Sequence, residues 1–128
     1  VTVAERALYH QIHPAKLGAD LAAELVSLPL YWRGRNRAAS VVHLGVPVIA
    51  SAVVVRRTAD LERLRDSRAG RYVAVEMTPA MQALRMAGDA VAVLGARRRS
   101  LPLIGLGAAI IAGGWTLGPR SRSRSGGA

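Results

Sequence analysis

The sequence predicts an all-α fold, a small polytopic membrane protein of about four helices in two antiparallel hairpins joined by a charged amphipathic connector. Three observations carry that expectation. Ser100 to Gly118 (SLPLIGLGAAIIAGGWTLG) runs nineteen residues without a formal charge, and Ala38 to Val55 (AASVVHLGVPVIASAVVV) runs eighteen. At about 1.5 Å per residue, each helix approaches the ~30 Å hydrocarbon thickness of a bilayer. Arginines punctuate the apolar runs: Arg33, Arg35 and Arg37, then Arg56 and Arg57, then Arg97, Arg98 and Arg99. Finally, 51% of the 128 residues are hydrophobic, the mean hydropathy is +0.21, and there is no Phe. Soluble cores lean on large rings, whereas small residues suit helices that approach closely in lipid.

The N-terminus, VTVAERALYHQIHPAKLGAD, has no short apolar stretch ending in a small-residue cleavage site, so it does not read as a signal peptide. The first helix is expected over 14–32. Pro14 suits a first helical turn and disfavours helix at His13, while Tyr31 and Trp32 end the helix as interfacial anchors would. The second is expected over 38–55 with Pro47 inside, which is tolerated in lipid where neighbours re-satisfy the freed carbonyl. The connector, 56–78, is charge-rich. Thr58 is its expected N-cap and Gly70 its expected C-terminal stop, with Asp60/Arg63 and Glu62/Arg65 pairs and a Leu61/Leu64 face. Thr78-Pro79 opens the third helix, 79–96, and the fourth spans 101–117. The low-complexity tail over 119–128, PRSRSRSGGA, reads as disordered.

A net charge of +10 points to anionic partners, either phospholipid headgroups or nucleic acid. Charge that punctuates apolar runs favours headgroups; a nucleic-acid reader would line one face with base and ring. The two hairpin turns hold six Lys and Arg and the opposite flanks eleven, so both termini and the connector are expected on the cytoplasmic side. The absence of Cys excludes disulfides and thiolate chemistry. No Gly-x-Ser-x-Gly, phosphate loop or dinucleotide fingerprint occurs, so neither an enzyme nor a cofactor is expected, and no small-molecule substrate is identified.

One constellation could carry chemistry. Lys16, Asp20 and Glu24 form a stripe at i, i+4 and i+8 on the first long helix, and Arg85 and Asp89 stand four apart on the third. Asp20 and Glu24 are expected to face that helix with Arg85 as counter-ion, either as a structural ion-pair cluster or as part of an ion pathway. His10, His13 and His43 are formally metal or haem ligands, but interfacial hydrogen bonding is the commoner role, so no metal is expected. Gly105, Ala109 and Gly113, and Gly114 with Gly118, form small-residue tracks suited to helix packing.

YHQIHPAKLGAD, DLERLRDSRAGRYVAVEMTPAMQALRMAG and the closing GW resemble a family of small uncharacterised bacterial multi-helix membrane proteins. The resemblance covers most of residues 9 to 115 and implies a bacterial inner-membrane protein of several helices, without implying an activity. The sequence therefore points to a non-enzymatic accessory or structural subunit of a larger membrane complex, with lipid and other membrane subunits as partners. The alternative is an ion- or proton-linked membrane protein using Asp20, Glu24, Arg85 and Asp89.

Overall fold

The computed structural model describes residues 1–116, which are helical almost throughout and contain no strand. Seven α-helices follow one another: α1 (Val3–Tyr9), α2 (Pro14–Trp32), α3 (Asn36–Val54), α4 (Thr58–Asp66), α5 (Arg68–Glu76), α6 (Pro79–Arg97) and α7 (Leu101–Thr116). The expected tail, 119–128, and Gly118 lie outside the described residues. The chain divides into two compact units, Val1–Leu30 with Arg35–Ala74, and Tyr31–Gly34 with the residues from Val75 onward.

The all-α expectation holds, and the four long helices fall within two residues of their expected ends. Membrane spans are a different matter. Among the described residues α3 alone is both long and apolar enough to cross a bilayer, with nineteen residues and a mean hydropathy of 1.6. α7 is apolar but has sixteen residues, while α2 carries Lys16, Asp20 and Glu24 and α6 carries Arg85, Asp89 and Arg97. Length and charge thus remove three of the four expected spans from that test.

In the first unit α1 is an addition to the expected elements. Thr2 Oγ1 accepts from the Glu5 N–H at 3.1 Å, and the Glu5 carboxylate accepts from the Thr2 N–H at 2.8 Å, a reciprocal cap. A short 3-10 turn, His10–Ile12, leads to His13, whose ring caps α2 by accepting from the Ala15 N–H at 3.1 Å. Arg6 ties this end together. Its guanidinium donates to the Val55 carbonyl at 2.7 Å, just beyond the end of α3, and to Thr58 Oγ1 at 2.9 Å. The carbonyls at a helix C-terminus lack intrahelical donors and carry the negative end of the macrodipole, so a cation suits that place. Thr58 is therefore an acceptor at the first position of α4, and Arg57 occupies the cap position expected for it. Arg6→Ala should destabilise this corner by about 1.5–3 kcal/mol, read as faster amide exchange across α1. Arg6→Lys should recover only part of the loss, because an ammonium lacks the planar fork that reaches both acceptors.

The connector is two helices. Ser67 breaks it: its hydroxyl donates to the Leu64 carbonyl at 2.6 Å and accepts from the Gly70 N–H at 3.0 Å. Gly70 is thus no stop but part of the first turn of α5, where any Cβ would collide with the carbonyls of Leu64 and Arg65. Leu61 is fully buried, as its place on the expected apolar face requires.

In the second unit α6 and α7 form a tightly packed antiparallel hairpin. Thr78 caps α6 by accepting from the Met81 N–H at 3.3 Å, with Pro79 at the first helical position. Gly88, Ala92, Gly95 and Ala96 are the buried small residues of α6, and Gly107 and Gly114 those of α7. A Cβ on Gly107 would lie 2.6 Å from the Gly88 carbonyl oxygen, so backbone meets backbone. The seam therefore runs through Gly107 and Gly114 and bypasses the Gly105–Ala109–Gly113 track; Gly105 and Ala109 are exposed, with open space around Gly105. Seven residues separate Gly107 and Gly114, two turns of one helix face.

Both interhelical turns close alike. The Arg35 N–H bonds the Leu30 carbonyl and the Gly34 N–H that of Tyr31; the Ser100 N–H bonds Gly95 and the Arg99 N–H bonds Ala96. This closure needs a left-handed residue after the helix, supplied by Gly34 at φ +77° and by Arg99 at φ +53°.

Candidate functional site

The functional candidates lie on helix faces whose polarity is the reverse of what water would select. On α2, Lys16 is only 7% exposed and Ser27 is fully buried, while Leu21 and Leu25 are 61% and 67% exposed. Asp20 and Glu24 are half-buried on the same stripe as Lys16. On α3, Ser40, His43 and Ser51 are half-buried, while Val41, Leu44, Val48, Ile49 and Val53 stand out, Val41 by 72%. α6 repeats the pattern, with Arg85 and Asp89 half-buried and Leu84, Met86 and Leu94 exposed. A fully buried Leu, Val or Ile gains about 1.5–3 kcal/mol over an exposed one. The exposed side chains of α2 and α3 together would forgo on the order of 10 kcal/mol in water, comparable with the whole net stability of a soluble domain. Against hydrocarbon they would forgo little.

The polar stripe is built within the first unit as follows. The Lys16 ammonium donates to the Asp20 carboxylate one turn on. Higher on α2, Glu24 Oε1 lies 3.6 Å from His43 Nδ1, and Ser27 Oγ lies 3.2 Å from the same nitrogen. His43 is thus the neighbour of Glu24 across the hairpin. Antiparallel helices joined by a short turn pair residues about equally far from it, and Glu24 lies ten before Gly34 and His43 nine after. That signal was present in the sequence. A carboxylate, an imidazole and a hydroxyl around one nitrogen can exchange a proton and hold a polar hairpin in register.

Asp20 and Glu24 stand in the first unit, Arg85 and Asp89 in the second. Within its own unit the Arg85 guanidinium stacks over the Trp115 ring, 4.1 Å from the centroid. Its aliphatic stem runs against Gly114, where a Cβ would displace it. Stacking on an indole stabilises a desolvated guanidinium.

His10 and His13 are engaged by protein groups at both ring nitrogens. His10 Nδ1 lies 3.1 Å from the Arg6 carbonyl, and its Nε2 lies 3.3 Å from Ser51 Oγ. His13 Nδ1 accepts from the Ala15 N–H, so in the neutral ring the proton sits on Nε2 and is donated to Asp60 Oδ2 at 3.2 Å. Arg63 donates to the other oxygen of Asp60, as its i,i+3 spacing predicts, and Arg57 stands 4.0 Å away. Arg65 pairs with Asp66 at 3.2 Å. His13, Pro14, Asp60, Arg63 and Leu64 line a shallow, open hollow of about 270 Å³.

The hydrogen bond from His13, and then that from Arg63, holds the Asp60 carboxyl below its ordinary value. A carboxylate depressed in the folded state adds stability above its unfolded pKa of about 3.9, and that stability is lost as the pH falls through the lower folded value. Thermal melts in detergent should therefore show the parent falling more steeply than Asp60→Asn below about pH 3.9, with the difference constant above it.

No family model matches the chain, and no curated protein or solved structure matches it either.

Proposed function

We propose that the chain is a small helical integral protein of the bacterial cytoplasmic membrane, acting without catalysis as an accessory or structural subunit of a larger membrane assembly. The observation that carries this reading is α3, a nineteen-residue apolar helix only 11% of whose spanning window is buried. A core helix of a soluble protein would be mostly enclosed, and a signal sequence would not follow two folded helices. Ser40, His43 and Ser51 of α3 are half-buried while Val41, Leu44, Val48, Ile49 and Val53 are exposed, the arrangement lipid selects. α2 and α6 fit the same solvent, because Lys16, Asp20, Glu24, Arg85 and Asp89 are buried or half-buried and the exposed Arg97 lies at the end of its helix. α7, about 24 Å long, is accommodated by local thinning of the bilayer.

The arginine balance supports a cytoplasmic side for both termini and the connector. A subunit role is supported by the wide exposed apolar surface and by the lack of a nucleophile with base and orienter in the sequence. Native pull-down in mild detergent should bring down a stoichiometric partner; recovery of this chain alone would count against the assembly role.

The alternative, an ion- or proton-linked membrane protein using Asp20, Glu24, Arg85 and Asp89, gains from the Glu24–Ser27–His43 grouping on α2 and α3. Proton flux in proteoliposomes that falls on Glu24→Gln would favour it, and a parent chain without flux would reject it.

A further inference from the structure

We propose that the arginine-rich end of the second unit is a binding site for the headgroups of anionic phospholipids. This rests on the membrane-protein reading and assigns a lipid class to one end of the molecule. Arg33 stands in the turn between α2 and α3, and Arg97, Arg98 and Arg99 at the turn between α6 and α7; both turns belong to the second unit, and all four side chains are exposed. Arg99 Nε donates to the Trp32 carbonyl at 2.9 Å, which joins the two turns.

The charge here is uncompensated. No acidic residue lies between Glu24 and Asp60 or beyond Asp89. Among the described residues none of these four arginines pairs with a carboxylate, whereas Arg57 and Arg63 stand with Asp60 and Arg65 with Asp66. A partner carrying phosphate is the complement such an end lacks.

Two further features favour a bilayer over a free polyanion. Arg99 keeps an arginine at φ +53°, a place glycine fills without strain, and Gly34 does fill the matching place in the other turn. With Nε committed to a carbonyl, its two terminal nitrogens remain for a phosphate, which a planar guanidinium can grip with both. Trp32, whose carbonyl Arg99 bonds, ends α2 with its residue half-buried, whereas Tyr31, the other anchor expected there, is enclosed in the protein. An amphipathic indole settles at headgroup depth, which places the arginines level with the phosphates.

The test uses the full chain carrying Trp115→Tyr, which keeps a ring beneath Arg85 and leaves Trp32 as the single tryptophan. It is reconstituted in phosphatidylcholine vesicles holding equal small fractions of brominated phosphatidylglycerol or brominated phosphatidylcholine. The brominated anionic lipid should quench Trp32 several-fold more. Each arginine removed among Arg33→Gln, Arg97→Gln and Arg98→Gln should lower that preference by up to about fivefold, the triple variant approaching none. Arg63→Gln with Arg65→Gln should leave it unchanged. Equal quenching by the two lipids overturns the headgroup site and leaves the membrane reading standing. Preference retained by the triple variant, or abolished by inorganic phosphate or single-stranded RNA at constant ionic strength, overturns it too. Quenching by neither lipid overturns the membrane reading and the site with it.

Discussion

Leu44→Arg should abolish stable insertion of α3, lowering the membrane-integrated fraction about a hundredfold. Leu44 sits near the middle of α3 and is 64% exposed, on the arc that also carries Val41 and Val48. At the centre of a bilayer an arginine costs about 2.5–3.5 kcal/mol on insertion scales, which is two or more powers of ten in an equilibrium. The same change on a water-facing surface would alter stability by about 0.5 kcal/mol or less, and would raise solubility. The two solvents thus predict opposite outcomes for one substitution. Quantitative insertion assays in inverted membrane vesicles read the difference, and unchanged yield and stability of the variant in aqueous buffer would favour water.

Gly107→Val should separate α6 from α7. Its Cβ would stand 2.5 Å from the Ala92 nitrogen and 2.6 Å from the Gly88 carbonyl oxygen, both backbone atoms that cannot swing aside. Relief requires the whole helix to move, which also forfeits the packing of Gly95 against Leu103 and Ile104. The expected cost is at the upper end of overpacking, about 3 kcal/mol. At Gly105, two residues away, a Cβ meets nothing within 4 Å, and Gly105→Val should be far milder. Thermal unfolding of the two variants in the same detergent distinguishes the seam; equal destabilisation would place it elsewhere.

The contrast between these glycines shows where the sequence stops being informative. Gly105, Ala109 and Gly113 form as good a small-residue track as Gly107 and Gly114, and α7 is apolar on every side. Its phase is therefore set by the partner helix, through the buried face of Gly88, Ala92 and Gly95. By contrast, the starts of α2 and α6 were plain, because His13-Pro14 and Thr78-Pro79 restrict the backbone locally. The start of α1 was equally local, a Thr2-x-x-Glu5 box, but short helices show little periodicity to draw attention to it. The break at Ser67 depends on a hydroxyl competing with the backbone, and no Gly or Pro marks it.

The polar stripe divides in the same way. That Lys16, Asp20 and Glu24 share one side of α2 follows from spacing alone. That this side is the half-buried one, with leucines outside, is a property of the surroundings, and the first unit adds His43 and Ser27 to the stripe. Buried polar groups persist only where partners satisfy them, and the paired Lys16–Asp20 and the Glu24–Ser27–His43 grouping meet that condition.

The central claim is that hydrocarbon surrounds the apolar arcs of α2, α3 and α6. Flotation of the expressed chain through a density gradient after high-salt and alkaline carbonate washing tests it most directly. The account predicts that the chain rises entirely with the lipid and leaves it only on addition of detergent. A chain released by carbonate, and monodisperse in buffer without detergent, would contradict it.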